Sequence, residues 1–367
     1  MIKRPNCGQS AAAAVTSKYA AVSIVSIIVV FIVIIMPLVA LTSCISILPG
    51  GGAGAGAGNG DEPLETSAWG YPVPYGDDTV VVVNTAADIY ETADKTSRRI
   101  TQLLFNQPVQ VIAQNDLWAK VNVDEKNAGW VRARDIDSDW NCVDPRRYKG
   151  RIVITAREKQ VYSHPRNGMV IRDVGMGTEL FFYTRSDNVY EVALPGNVIG
   201  WISESGTFQL EVDEPIKKTG ADVFIQSCDK FKGTSYLIGG ASSLGIDSAG
   251  IIFVTMKING VLMPRDFNNQ FALGEEVRIR NLENIQEAEL QIGDILFFGA
   301  NRASSGGDNS GGNGNSSGGT DLYLDDAGIY MGEGNFLHAS QHTGKVKLNN
   351  ISDDYYRQRL KGVRRYF

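Results

Sequence analysis

Residues 19–60 carry no charge, and within them residues 20–48 are almost wholly apolar. A bilayer core takes about 20 apolar residues in one helix, so this stretch is long enough to span it. Lys3, Arg4 and Lys18 precede it, and Asp61, Glu62 and Glu65 follow. Cytoplasmic flanks carry the excess of Lys and Arg, which puts residues 1–18 inside and everything after Leu48 outside. The expectation is a cell-membrane protein with a single transmembrane helix over 19–48 and its N-terminus in the cytoplasm. Its folded domains are then extracytoplasmic. A flexible linker follows over 49–78, because the Gly/Ala tract at 50–60 has nothing to bury.

Two other readings of the same stretch stay open. A cleaved signal peptide has an apolar run of only about 7–15 residues, shorter than this one. A lipoprotein signal is suggested by Leu41-Thr-Ser-Cys44, which resembles a lipobox with Cys44 as the lipidation site. The net charge is -6, with no long basic run, so no nucleic acid partner is expected. The four cysteines include no Cys-x-x-Cys pair, and there are three histidines, so neither a zinc site nor another cofactor is expected. A Cys142–Cys228 disulfide remains open for a chain outside the cell.

Two segments repeat at a period of roughly 72 residues, which implies duplicated domains. The first runs through Ala87-Asp-Ile-Tyr90, Asp116-Leu-Trp-Ala-Lys-Val121 and Gly129-Trp-Val131; the second through Lys159-Gln-Val-Tyr162, Asn188-Val-Tyr-Glu-Val192 and Gly200-Trp-Ile202. Short alternating runs rich in Val, Ile and aromatics, broken by Asn, Asp and Gly, predict two small all-β barrels, at 79–140 and 148–210. Both resemble bacterial SH3-type domains, whose members bind cell-wall peptides or pack on a neighbouring catalytic domain. Trp118, Trp130 and Trp201 are expected in large part to pack the cores. Trp118 and Trp130 are also the candidates for a substrate-stacking platform. His164, in Ser163-His-Pro165, reads as a turn residue.

From Lys217 the pattern changes. Residues 221–232 read as a helix with Phe224, Cys228 and Phe231 on one face, so Cys228 is a buried hydrophobe. Then come Tyr236, the paired Gly239-Gly240, Gly245-Ile-Asp-Ser-Ala-Gly250, an apolar run, Asp326-Ala-Gly-Ile-Tyr330, Phe336-Leu-His-Ala339 and Gly362-Val-Arg-Arg365. That ordered set over 217–367 resembles the NlpC-type, or p-sixty, family of cell-wall peptidases. The resemblance implies a papain-like α+β domain that cuts stem peptides between a D-glutamyl and a diamino-acid residue. In that family a cysteine opens a helix, a histidine takes its proton and a further polar residue orients the histidine. A helix N-terminus favours the thiolate.

Mapped onto this chain, the nucleophile position holds Ser248, the base position Asp326 and the third position His338. Tyr236 matches a tyrosine near the nucleophile, and Asp247 is expected to touch substrate. An aspartate's reference pKa of about 3.9 suits it poorly to abstract a serine proton at neutral pH. An engineered cysteine-to-serine change would account for Ser248 but not for Ala249 or Asp326. His342 lies in a polar turn and is the one candidate for a displaced imidazole. A Gly/Ser/Asn-rich insertion over 300–320 is expected to be disordered or a lid. The first expectation is a membrane-tethered pseudoenzyme that binds peptidoglycan stem peptides or an envelope partner. The others are a weak endopeptidase with a non-standard nucleophile, and a structural part of an envelope transfer or secretion machine.

Overall fold

A computed structural model describes residues 76–124, 127–279, 290–299 and 323–367. The expected membrane helix, Cys44, the Gly/Ala tract and the insertion at 300–320 lie outside the described residues. Among the described residues no helix is long and apolar enough to cross a membrane.

The first β unit contains β1 (Thr79–Val82), β2 (Ala86–Tyr90), β3 (Arg99–Leu104), β4 (Pro108–Gln114), β5 (Trp118–Asn122), β6 (Ala128–Arg132) and β7 (Ile136–Asp137). They form an antiparallel sheet in the order β3-β2-β6-β5-β4-β1-β7. The next seven strands are β8 (Gly150–Ile154), β9 (Glu158–Tyr162), β10 (Val170–Gly175), β11 (Glu179–Ser186), β12 (Val189–Leu194), β13 (Val198–Ser203) and β14 (Thr207–Leu210). Their order, β10-β9-β13-β12-β11-β8-β14, repeats the first one strand for strand. The repeats share a bridge too: Tyr90 pairs with Trp130, and Tyr162 with Trp201.

Strand parity corrects the reading of the tryptophans. In β5 and β6 the inward positions are Ala119, Val121, Gly129 and Val131, while Trp118 and Trp130 point outward and are half-buried. Trp201 is half-buried as well. Side chains alternate faces along a strand, so a Gly-Trp-Val triplet with Gly and Val inside puts the tryptophan outside. The glycines are needed there. A Cβ on Gly129 would lie 2.3 Å from Ile89 Cγ2, and one on Gly200 2.4 Å from Val161 Cγ1.

The C-terminal part is α+β. It holds α1 (Ala221–Asp229), the short pair β15 (Ala241–Ser242) and β16 (Gly245–Ile246), α2 (Ser248–Ile258), α3 (Phe267–Ala272), β17 (Glu275–Glu276) and β18 (Ile295–Phe298). Then come β19 (Asp326–Gly332), β20 (Asn335–Ser340), β21 (Lys345–Asn350), α4 (Asp354–Arg357) and β22 (Leu360–Arg365). The main sheet is antiparallel, in the order β17-β22-β18-β19-β20-β21. Alternate residues face opposite ways: Phe297, Ile329 and Leu337 pack with the helices, while Phe298, Tyr330 and Phe336 pack with Tyr356.

α2 is buried on nearly every side. Asp247 caps it, accepting the Gly250 N–H at 2.7 Å, and Gly260, with φ +74°, turns the chain away beyond its end. α1 stops at Asp229, three residues before the expected end, but Phe224, Cys228 and Phe231 are all buried.

Cys142 and Cys228 do not form a disulfide; both are free and buried. Cys142 packs with Val81, Val143 and Phe181, whereas Cys228 sits in the α1–α2 core. Burial pushes both thiols up to about 12. The reactive species is the thiolate, so neither should react in the native state. Native alkylation at pH 8 followed by peptide mass spectrometry should leave both unmodified, with denaturant exposing them. Rapid native labelling of Cys228 would contradict this packing.

Candidate functional site

Ser248 is the first residue of α2, Asp326 opens β19, and His338 lies within β20. The fold brings these positions into one hydrogen-bonded chain. Ser248 Oγ donates to Asp326 Oδ1 at 2.8 Å, and Asp326 Oδ2 lies 3.0 Å from His338 Nδ1. A carboxylate only accepts, so the Nδ1 proton is on the histidine. The Ala327 N–H also donates to Asp326 Oδ1, at 2.8 Å, and the Ala339 N–H donates to Ser248 Oγ at 3.1 Å. Ser248 is 1% exposed and His338 2%.

The chain of bonds runs further than the sequence motifs indicate. Tyr356 on α4 sets its hydroxyl 3.2 Å from His338 Nε2, and Asn349 Nδ2 donates to that hydroxyl at 2.8 Å. Burial, then the Asp326 charge, pushes the Tyr356 phenol up to about 12, so it keeps its proton. For a neutral imidazole, Tyr356 therefore donates to Nε2. Asp326 is thus met by Ser248, the Ala327 N–H and His338, and the imidazole faces Asp326 rather than the serine. Among the described residues no histidine bonds to Ser248 Oγ. His342 sits at the cleft in an exposed turn and is not part of this chain. His164 is exposed in its expected turn, 6.0 Å from Trp201 between ring centroids.

Asp247, expected at the substrate, lines the cleft and is at the same time held by the protein around it. Besides capping α2 it accepts the Gly239 N–H at 2.8 Å and pairs with Arg265 at 2.9 Å. Arg265 also donates to Gly240 O and to Thr101 Oγ1 on β3. Gln102 on the same strand accepts from the Ala241 N–H and from Ser242 Oγ. The first β unit is thereby fastened beside the N-terminus of α2, and β3 walls the cleft.

That cleft has a volume of about 1120 Å³ and opens over Ser248, Asp326 and His338. Tyr236 lines it, its phenol pushed up to about 12 by burial and then by the charges of Asp247 and Asp326. The first unit contributes Arg98, then Arg99, Ile100 and Thr101 from β3, and Val123, Asp124 and Asn127 from the β5–β6 turn, while the expected Trp118 and Trp130 are not among the lining residues. Among the described residues no group of three His, Cys, Asp or Glu side chains could hold a metal.

Residues 85–137 match the family model for the bacterial SH3 domain, and residues 233–309 match that of the NlpC/P60 family. The chain carries an NlpC/P60 domain. It is 30% identical over 149 residues to gamma-DL-glutamyl hydrolase of Bacillus subtilis (strain 168), an alignment covering 40% of this chain and 30% of that protein. It is 26% identical over 282 residues to gamma-D-glutamyl-L-lysine dipeptidyl-peptidase of the same organism, covering 73% of this chain and 81% of the relative. A crystal structure of an NlpC/P60 family protein from Bacillus cereus ATCC 10987 superposes with a TM-score of 0.65 at 20% identity. That superposition covers 78% of this chain and 99% of the other, a likeness of fold. The fold of the NlpC/P60 domain and its SH3 companion thus bears out the α+β and β-barrel expectations.

Proposed function

We propose that this chain binds peptidoglycan stem peptides in the cleft of a peptidase fold that no longer hydrolyses them efficiently. The carrying observation is the order of the bonded groups, Ser248–Asp326–His338. A serine hydroxyl needs a base that gains from taking its proton. Asp326 already accepts from His338 and from the Ala327 N–H. Taking the serine proton gives up those stabilised interactions, and the imidazole stands one group too far away to help.

In this reading the SH3-type barrels at 79–140 and 148–210 and the peptidase-like domain at 217–367 work outside the cell, tethered through 19–48. The relatives' γ-glutamyl specificities support a ligand with a γ-D-glutamyl–diamino-acid linkage. Incubation of the full chain with a γ-D-glutamyl-diamino-acid stem peptide, followed by chromatography, should show binding without turnover above background. Robust turnover that disappears in Ser248→Ala would overturn the reading. Turnover lost in His338→Ala as well would point to a working serine-based peptidase.

A further inference from the structure

Four arginines line the cleft, and each already has an acidic partner. Arg98 meets Glu91 at 3.5 Å and Arg99 meets Asp88 at 2.8 Å. Arg265 is held by Asp247, and Arg359 by Asp325. Lys347 also lines the cleft and is half-buried, yet among the described residues its ammonium makes no hydrogen bond and no ion pair.

The position of Lys347 gives this lone charge a meaning. It lies on β21 directly opposite His338 on β20. Opposed residues in an antiparallel pair leave the sheet on the same face, a few ångströms apart. Lys347 therefore stands beside the Ser248–Asp326–His338 chain. Two residues on, and on the same face, is Asn349. Its Nδ2 is given to Tyr356, while its Oδ1 is buried without a partner. Beside the reacting position, then, lie one unanswered cation and one unanswered acceptor.

We propose that Lys347 seats the free α-carboxylate of a γ-linked glutamyl residue, an assignment that rests on the stem-peptide reading above. A γ-linkage uses the side-chain carboxyl in the peptide bond and leaves the α-carboxylate ionised, a few bonds from the scissile carbonyl. With that carbonyl at Ser248, the negative charge falls beside the β20–β21 strand pair, where the partnerless ammonium stands. Asn349 Oδ1 then accepts an N–H from the ligand backbone. A lysine is a compact point charge with donors only. A ligand whose α-carboxylate is converted to a carboxamide loses the charge and one of the two acceptor oxygens that answer those donors. The cleft consequently selects the carboxylate form of the stem over the amidated form.

Calorimetric titration of the full chain in detergent tests this with the tripeptide L-alanyl-γ-D-glutamyl-L-lysine and its glutamyl α-carboxamide. The carboxylate form should bind about tenfold more tightly, the scale of one charge-assisted hydrogen bond. Lys347→Met should erase the preference by weakening the carboxylate form alone, while Lys347→Arg should retain it. Equal binding of both peptides by the unaltered chain, or a preference that survives Lys347→Met, would overturn the role of Lys347 and leave the stem-peptide reading standing. Binding of neither peptide would bring down both.

Discussion

Ser248→Cys combined with Asp326→His is expected to raise stem-peptide hydrolysis by about 10³-fold or more over the unaltered chain, the scale on which triad members act. The geometry supplies the reason. The two oxygens of Asp326 reach Ser248 at 2.8 Å and His338 at 3.0 Å, so one side chain already bridges nucleophile and orienting residue. An imidazole there has two ring nitrogens to serve the same two contacts. The thiol would stand at the first residue of α2, where the helix dipole and the Ala339 N–H both favour a thiolate. Either change alone should give little, since groups acting as a unit are strongly non-additive. Ser248→Cys alone places a thiol against a carboxylate, and Asp326→His alone leaves an alcohol as nucleophile. The readout is product release followed by chromatography, with circular dichroism to establish folding. A folded double variant without turnover would mean that the groove no longer seats the scissile bond, and binding would then have to involve another surface.

The positions of the site are legible in the sequence further than its chemistry suggests. Ser248, Asp326 and His338 lie 78 and 12 residues apart along the chain, and ordered motifs alone put them in one site. Local signals also suffice for α2: an aspartate before an apolar run, then Asn259-Gly260 beyond it, reads as cap and stop. Tyr356 is hidden because nothing local distinguishes it from Tyr355. Only the packing of α4 against the sheet sets one hydroxyl on His338 and leaves its neighbour exposed. The tryptophans mislead for a different reason. Their average burial points inward, whereas the alternation Gly129-Trp130-Val131 already places the tryptophan outside. Resemblance alone assigns Asp247 to substrate, but its protein contacts depend on Arg265, which in turn reaches a β strand from another part of the chain. Contacts between separately encoded units leave no periodic trace in a single sequence.

Glu179→Ala is expected to destabilise the folded chain by about 3–5 kcal/mol, the cost of breaking a buried ion pair from one side. Glu179 opens β11 and is almost fully buried. Its carboxylate meets Arg151 at 2.9 Å and Lys257 at 2.8 Å, and Arg151 is 0% exposed. Arg151 also donates to the carbonyls of Glu211, Val212 and Glu214, holding the segment that leads toward α1. Lys257 lies in the last turn of α2, whose first residue is Ser248, and the Glu179 carbonyl accepts from Asn106 of the first β unit. One carboxylate thus ties the second unit to the helix that carries the site. Removing it strands two cations with little water to solvate them. Chemical denaturation should show the loss as a lower midpoint. Replacing the whole set by apolar residues, Arg151→Met, Glu179→Leu and Lys257→Met, should cost less than Glu179→Ala alone, because no charge is then left buried. If the triple replacement proved the more damaging, the cluster would be contributing net stability through its own attraction, and that attraction would outweigh the cost of desolvating three charges at this junction.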